Sequence, residues 1–328
     1  METRDFSGWL PMRIYWNDRQ PMVDWGYLGN RRFTEPFFSQ TTDQCVRHPA
    51  DFLFRHQTPL AQLGEIAGAQ PELPPTGFIF HMSRCGSTLI SQKLAAARAN
   101  VVLSEPAPID GVLRARFHDP GLGEDVIVQW LQWVVAALSW RRHPEEENVF
   151  IKFDCWHTLF LPLIQRAFPA VPWIFLYREP LEVMASHLKQ RGAQMIPGAL
   201  EPEIFGWDSA TVGQMAPNEY GAGALAKICA AALDGGQRET GKLVNYRQLP
   251  DAVWPALTRF WNVQVSPDDA ERMAAAAQAN AKNPSLPFTA DSQAKRDSVP
   301  EAVRTLTRQW LESVYQELES QRLAHGFV

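Results

Sequence analysis

The clearest chemical signal in the sequence is a short polar segment, residues 81–89, HMSRCGSTL. It follows a short apolar run and precedes a segment of helical periodicity, so the sequence predicts a strand, a loop and a helix. Free N–H groups and the positive end of a helix make such a junction an anion site. Gly86 lets the backbone approach a phosphate, Ser87 and Thr88 add hydroxyl donors, and Arg84 adds a permanent charge. The loop is therefore predicted to bind a phosphate-like anion.

The nucleotide-binding P-loop, GxxxxGK[ST], is the nearest common motif of this kind. Its first Gly is replaced here by His81 and its Lys by Ser87, and no apolar run ends in an Asp suited to magnesium. A nucleotide kinase or NTPase with an altered P-loop remains one alternative hypothesis. A nucleotide-binding protein without catalytic activity is the other.

A second segment, residues 175–186, FLYREPLEVMAS, combines an apolar strand pattern with the start of a helix. Arg178 leaves the strand end, and Ser186 lies about two turns into the helix, so the two side chains are expected to lie near each other. In the alternative interpretation, Arg178 caps the helix or pairs with Glu179 or Glu182.

These two segments resemble motifs of the sulfotransferase superfamily. Residues 83–88, SRCGST, resemble the family's 5′-phosphosulfate loop in its Arg form, and residues 175–186 are similar to its 3′-phosphate motif. The resemblance implies 3′-phosphoadenosine-5′-phosphosulfate (PAPS) as the cosubstrate, 3′-phosphoadenosine-5′-phosphate as the product, and no metal. The residues implied to bind the cosubstrate here are Arg84, Cys85, Gly86, Ser87, Thr88, Arg178 and Ser186.

Two further segments extend the resemblance, which covers residues 77–318 in order. Residues 243–249, LVNYRQL, look like the family's YEDL strand, which implies that Tyr246 lies against the adenine. Lys295 and Arg296 follow Lys282 where the family closes a basic loop over the 3′-phosphate. Asp297 and Ser298 replace the Lys-Gly that usually follows there, and a solvated turn is the alternative.

Sulfuryl transfer of the kind implied needs cations near the anionic oxygens. Arg84 is the first candidate, and Lys152, at the end of the apolar run 148–153, is the second. A buried Lys is costly unless an anion pairs with it. The alternative is a snorkelling Lys152 that pairs with Asp154.

A base must also take the acceptor proton. Glu105 is the first candidate, because several sulfotransferases place a catalytic Glu at a similar distance beyond the loop. Asp154 is the second, since it stands where the cytosolic branch of the family has a catalytic His, and His157 is the third. Cys85 at a helix start beside Arg84 is either a reactive thiol of lowered pKa or a small packing residue. The second interpretation is preferred.

Apolar runs of four to eight residues alternate with helical patterns from about residue 77 onward, which predicts parallel βαβ units. The expected fold class is α/β: a three-layer, P-loop-like fold with a mainly parallel central sheet flanked by helices. Residues 73–328 are assigned to this domain, and residues 1–72, aromatic-rich but without sustained periodicity, to an irregular extension packed on it. Residues 192–218 are expected to form a long loop or lid.

The composition limits partners and compartment. A formal net charge of −5 gives no basic field for nucleic acid, so anions must be held by local cations. The four cysteines lie far apart, no secretory signal is recognised and no apolar stretch is long enough to span a bilayer, so a cytoplasmic protein is expected. The expected partner is a small-molecule or glycan acceptor, and a homo-oligomer is possible.

Overall fold

The computed structural model of this chain describes residues 5–47, 53, 55–236, 240–249, 254–276, 279–280, 283–287 and 299–325. Lys282, Lys295 and Arg296, the residues expected to close over a 3′-phosphate, lie outside these ranges. Their assignment stays a prediction.

The N-terminal part contains a regular antiparallel sheet of β1 (Trp9–Asn17), β2 (Gln20–Tyr27) and β3 (His56–Pro59) in the order β1-β2-β3. The expectation of an irregular extension is thus corrected for these residues. The strand pattern was hidden because Arg13 and Asp24 interrupt the alternation of apolar and polar residues. The two side chains instead pair across the strands, with Arg13 Nε donating to Asp24 Oδ2 at 2.9 Å. Asp24 is fully buried and also accepts from Arg55.

The centre of the fold is a five-stranded parallel sheet. Its strands are β4 (Pro75–His81), β5 (Asn100–Ser104), β6 (Asn148–Lys152), β7 (Trp173–Tyr177) and β8 (Gly241–Asn245). They lie in the order β5-β6-β4-β7-β8. Every residue of β5 and β7 is buried, as expected of parallel strands covered by helices on both faces. The predicted α/β class with a parallel central sheet is confirmed.

Twelve α-helices accompany the sheets in the described part of the chain: α1 (Phe38–Val46), α2 (Leu63–Ala67), α3 (Ser87–Ala95), α4 (Ala107–Leu113), α5 (Glu124–Leu138), α6 (Leu161–Ala167), α7 (Pro180–Lys189), α8 (Ser209–Gln214), α9 (Pro217–Asp234), α10 (Trp254–Phe260), α11 (Pro267–Ala276) and α12 (Glu301–His325). Two short strands, β9 (Ala279–Asn280) and β10 (Asn283–Pro287), pair antiparallel. Within the ranges that the structure describes, none of the helices combines the length and apolar character that a bilayer crossing requires.

Two segments differ from the sequence expectations. The helical pattern that follows β6 is divided into a 3₁₀ turn (Cys155–Phe160) and α6, which has Pro162 in its first turn, where proline costs no hydrogen bond. The expected loop at 192–218 contains two 3₁₀ turns, Ala193–Met195 and Pro202–Phe205, and the short helix α8.

One hydrophobic core joins the N-terminal sheet to the central one. Leu10, Val23 and Trp25 of the former belong to the same buried cluster as β4 and β6. The Trp25 ring stacks on Trp140 at 6.2 Å between centroids. The division into residues 1–72 and 73–328 stays a prediction.

The parallel order places the carboxyl ends of all five central strands at one edge of the sheet. Ligands bind at such an edge, beside the strand where the connections change direction, which here is β4. Lys152 is the last residue of β6, and the segments just beyond the five strand ends hold Arg84, Glu105, Asp154, Arg178 and Tyr246. Each strand therefore delivers one predicted functional region to the same edge.

Candidate functional site

The loop between β4 and α3 has the conformation of an anion cradle. Ser83, Arg84 and Gly86 have φ angles of +78°, +50° and +90°. Backbone in this left-handed region is costly for residues other than glycine. Contacts with the surrounding structure must therefore hold Ser83 and Arg84 in this conformation. Such turns point successive N–H groups to one side, and the first-turn N–H groups of α3 add to them. Ser87 and Thr88 begin this helix, as the sequence predicted.

The segment after α7 contacts this loop at two points. Arg84 Nη2 donates to the carbonyl oxygen of Gln190 at 2.7 Å, and Gln194 Nε2 donates to Ser83 Oγ at 2.9 Å. Gln194 belongs to the start of the segment expected to form a lid, and Gln190 lies just before that segment.

Cys85 is turned away from the loop mouth. Its thiol is fully buried and donates to the carbonyl oxygen of Leu176 at 3.1 Å. Burial raises the pKa of the Cys85 thiol to about 12. The preferred interpretation of Cys85 as a packing residue agrees with this geometry, and its side chain is not placed to contact an anion in the loop.

Three of the predicted nucleotide-binding regions meet at Gly86. A Cβ added to Gly86 would lie 2.8 Å from Cδ2 of Tyr246, so the Tyr246 ring closes one side of the loop. The Arg178 guanidinium lies over the same ring, with its Cζ 4.1 Å from the centroid. A cationic group, an aromatic face and bare loop backbone therefore converge at one point, which is a donor set that fits a nucleotide carrying several phosphates.

Arg178 also makes the ion pair that the alternative interpretation allowed. Its Nε and Nη2 both lie 2.6 Å from Glu182 Oε2, and both side chains are buried. Glu179, the other suggested partner, instead caps α7 by accepting from the N–H groups of Leu181 and Glu182. Ser186 lies half-buried on the same helix, one turn beyond Glu182.

Lys152 and Glu105 form the closest pair of predicted catalytic residues. Lys152 Nζ lies 2.6 Å from Glu105 Oε1, and the Lys152 side chain is 0% exposed. The anionic partner of this buried Lys is therefore Glu105, and the suggested pairing with Asp154 is corrected. The Phe37 ring covers the ammonium group from the N-terminal part, 4.9 Å from centroid to Nζ. Such a contact stabilises a desolvated cation.

Glu105 is held in an uncommon backbone conformation, with a φ angle of +57°. Its N–H donates to the carbonyl oxygen of Lys152 at 2.6 Å, which ties the end of β5 to the end of β6. Burial by itself raises the pKa of the Glu105 carboxyl, but the Lys152 charge and the nearby His81 imidazole outweigh burial and lower the pKa to about 2.

His81 also lies near Glu105 and was not among the site residues proposed from the sequence. Its Nε2 is 3.6 Å from Glu105 Oε1, and its Nδ1 accepts the N–H of Ser83 at 3.0 Å. The only signal in the sequence was a polar residue at the end of an apolar strand. Nothing in the sequence indicated that Phe37 would reach Lys152, because that contact joins two distant segments.

A second group of acidic and imidazole side chains lies next to this pair. His157 Nε2 is 2.9 Å from Asp110 Oδ1 and 3.9 Å from Asp154 Oδ2. Asp110 also accepts from Trp156 Nε1 and Arg114 Nη1, both at 2.9 Å. His157 is thus fully buried and engaged with Asp110, which makes it the least accessible of the three candidate bases.

The two carboxyls of this group have opposite pKa shifts. Burial raises the pKa of Asp154 well above its usual range, and the carboxylates of Glu105 and Asp110 raise it further. Burial also acts on Asp110, but the hydrogen bonds of His157 and Trp156 and the Arg114 charge hold its pKa below the usual range. Oxygen and nitrogen atoms of Asp110, Asp154 and His157 lie within 4.8 Å of one another, a spacing that could hold a metal ion. The expectation of a metal-free site stays a prediction.

No protein-family model matches the sequence, and no curated protein matches it either. Solved structures do resemble the chain. A sulfotransferase domain from the curacin biosynthetic pathway shares 17% identity, with 79% of this chain and 100% of that one covered and a TM-score of 0.44.

Two further solved structures resemble the chain at similarly low sequence identity. The sulfotransferase STF9 from Mycobacterium avium shares 13% identity over 77% of this chain and 79% of its own, with a TM-score of 0.46. A retinol dehydratase, solved with androsterone and the inactive cofactor PAP, shares 13% identity over 80% of this chain and 89% of its own, with a TM-score of 0.37. The curacin-pathway domain and STF9 are both named as sulfotransferases, which is the family that the motifs resemble. Likeness of this degree concerns the fold, and what those proteins bind is not thereby assigned to this chain.

Proposed function

We propose that this protein is a metal-independent sulfotransferase that moves a sulfuryl group from PAPS to a hydroxyl of a small-molecule or glycan acceptor. The observation that carries the proposal is the convergence of Gly86, Arg178 and Tyr246 beside the Lys152–Glu105 pair. It joins a site suited to a nucleotide with two phosphate groups to a buried cation and a carboxylate. An NTPase would use a P-loop Lys at the position that Ser87 occupies.

The residues proposed to hold PAPS come from four segments at the carboxyl edge of the sheet. Backbone N–H groups of the loop and the hydroxyls of Ser87 and Thr88 would bind its 5′ end, and Arg178 with Ser186 the 3′-phosphate. Tyr246 would lie against the adenine, and Lys295 and Arg296 would close the site. When bound, PAPS would supply the sulfuryl group and leave as 3′-phosphoadenosine-5′-phosphate.

Arg84 and Lys152 are the proposed catalytic cations. Both reach the carboxyl edge of the sheet, and Lys152 is withdrawn from solvent, where a charge interacts more strongly than in water. Glu105 is proposed to accept the proton of the acceptor hydroxyl, and Asp154 is the second candidate. General-base catalysis contributes about 10²–10⁴-fold, so Glu105→Gln is expected to lower transfer within this range.

The cysteines and the composition support the remaining assignments. Cys85, Cys155 and Cys229 are buried and form no disulfide bond, which favours a reducing compartment, and we propose the cytoplasm. No nucleic acid partner is proposed, because the net charge is −5.

Calorimetric titration with 3′-phosphoadenosine-5′-phosphate tests the proposal, with AMP and with ATP plus magnesium as comparisons. We expect micromolar binding, about −8 kcal/mol, without metal and tighter than that of AMP. Arg178→Ala should weaken binding about 10- to 100-fold, because charged hydrogen bonds contribute about 1.5–3 kcal/mol. Arg116→Ala is the matched control. The polar partners of this half-exposed Arg in the described part of the chain are the Leu122 carbonyl and Glu124, so the variant should leave binding unchanged.

Other outcomes would favour the alternative functions. Tighter binding of ATP with magnesium would favour a kinase or NTPase. Binding of the bisphosphate nucleotide without any turnover of PAPS would favour an inactive nucleotide-binding protein. An Arg178→Ala variant that binds like the wild type would contradict the assigned 3′-phosphate site.

A further inference from the structure

Among the described residues, Lys152 and His81 both lie within 4 Å of the Glu105 carboxylate, but only Lys152 is at hydrogen-bond distance from it. Lys152 Nζ lies 2.6 Å from Glu105 Oε1, while His81 Nε2 lies 3.6 Å from the same oxygen. The second distance is longer than a hydrogen bond. A donor that is this near but not bonded needs a physical explanation, because His81 is only 4% exposed.

The hydrogen bonds of His81 fix which of its ring nitrogens carries the proton. Nδ1 accepts the N–H of Ser83, so in the neutral ring the proton resides on Nε2. Nε2 is buried and has no hydrogen-bond partner among the residues that the structure describes. Burial lowers the pKa of His81, which keeps the ring neutral. An unmade hydrogen bond of a buried donor costs about 1–3 kcal/mol.

The surroundings of Glu105 allow little movement of its backbone but a small movement of its carboxylate. The Glu105 N–H is bonded to the Lys152 carbonyl oxygen at 2.6 Å, while its side chain is 24% exposed. A displacement of less than about 1 Å would bring Oε1 to hydrogen-bond distance from Nε2.

We propose that His81 is a positioning residue, which takes over the Glu105 carboxylate when Lys152 turns to an anionic ligand. This inference rests on the proposed function, in which Lys152 is needed by the anionic oxygens of PAPS. The single positive charge of Lys152 cannot fully neutralise both the Glu105 carboxylate and an anionic ligand. His81 then keeps Glu105 oriented without adding a charge, and it links this carboxylate to Ser83 of the anion loop.

The proposal predicts how the pKa of Glu105 changes. The charged and titratable groups that face Glu105 from the elements around it are Lys152, Asp154, Cys155, His81 and Arg84. Removing the Lys152 charge raises the pKa of Glu105 by about 1–3 units, because an opposite charge favours the ionised form. A neutral donor on His81 limits this rise, since a hydrogen bond to a carboxylate also favours its ionised form.

The first experiment needs no ligand. The Glu105 side chain is titrated by ¹³C NMR in the wild type, Lys152→Met, Lys152→Met with His81→Leu, and Lys152→Met with His81→Gln. Glu105→Gln provides the assignment. We expect a higher pKa in Lys152→Met, a further rise of about 1 unit with His81→Leu, and recovery with His81→Gln, whose amide N–H can replace Nε2–H. Equal values in the Leu and Gln variants would overturn the proposal.

The second experiment keeps the proposal testable if the double variants do not fold. The wild type and the single His81→Gln and His81→Leu variants are titrated with and without 3′-phosphoadenosine-5′-phosphate. The ligand should raise the pKa of Glu105 in all three, most in His81→Leu. A nucleotide that binds without changing this pKa would overturn the role of His81. If no nucleotide binds, the proposed function fails, while the first experiment still decides whether His81 holds Glu105.

Discussion

At the scale of single residues, the predicted catalytic groups are found in pairs that the sequence did not specify. Lys152 was expected to need an anion, and the physical reason was correct, but the anion is Glu105, which follows a different strand, β5. Pairing between side chains from different strands depends on strand order, which no spacing in the sequence reveals. Strand ends were easier to predict, because a charged residue after an apolar run is a local feature.

The opposite pKa shifts of Asp154 and Asp110 give opposite stability changes. The folded-state pKa of Asp154 lies above its unfolded value, so the folded protein loses stability as the pH rises from about 4 toward the folded pKa. Asp154→Asn should therefore raise the free energy of unfolding at pH 8 by at least about 1 kcal/mol and change this free energy little at pH 4. Urea unfolding at both pH values measures this difference.

Asp110→Asn is the matched comparison in the same cluster. The folded-state pKa of Asp110 is lowered, so its stabilisation is present above its unfolded pKa and is lost as the pH falls through the folded pKa. Losing the charged acceptor of His157, Trp156 and Arg114 should destabilise the protein by about 1–3 kcal/mol at pH 8, with a smaller effect at low pH. If both substitutions changed the free energy of unfolding in the same direction at pH 8, this result would contradict the assigned pKa shifts.

At the scale of elements, the central strands and the helices between them were predictable, whereas the N-terminal sheet was not. Buried parallel strands appear as continuous apolar runs, which β4, β6 and β7 show clearly. In β1 and β2 the buried Asp24 and its Arg13 partner obscured the pattern, and Pro11 lies at a register shift. The anion loop was recognised from its residue types, but its contacts with Gln190 and Gln194 were not, because these residues follow in a later segment.

The loop conformation around Gly86 can be tested by one added methyl group. Gly86→Ala introduces a left-handed strain of about 1–2 kcal/mol and places Cβ 2.8 Å from the Tyr246 ring. We expect the affinity for 3′-phosphoadenosine-5′-phosphate to fall at least tenfold, because the Tyr246 ring and the loop that contains Gly86 must move apart. Gly198→Ala is the control, since its φ of +79° gives similar strain, while no atom of the described residues lies within 4 Å of the added Cβ.

Calorimetric titration and thermal unfolding of these two alanine variants separate strain from steric conflict. Both should be destabilised, but only the Gly86 variant should lose nucleotide affinity. Normal affinity in Gly86→Ala would mean that the contact between loop and ring does not shape the binding site.

At the scale of the whole molecule, the N-terminal sheet and the central sheet share one buried core, so they are expected to unfold together. Trp25 is 1% exposed, stacks on Trp140 of the segment after α5, and donates through Nε1 to Thr58 of β3. Trp133 packs close to Gly64 of α2, so that an added Cβ would lie 2.6 Å from its ring. Apolar burial on both sides of residue 72 makes separate folding of either part unfavourable.

Trp25→Ala tests whether this core is one cooperative unit. The loss of a large buried aromatic side chain should lower the free energy of unfolding by about 3–5 kcal/mol. Far-UV and near-UV circular dichroism should follow one shifted transition, because the central sheet cannot remain folded once its neighbour has separated. Tyr27→Ala, at a position 47% exposed on the same strand, should change the stability much less. A variant in which only a first transition moves, while a second stays at the wild-type midpoint, would show instead that the N-terminal sheet folds independently of the candidate site.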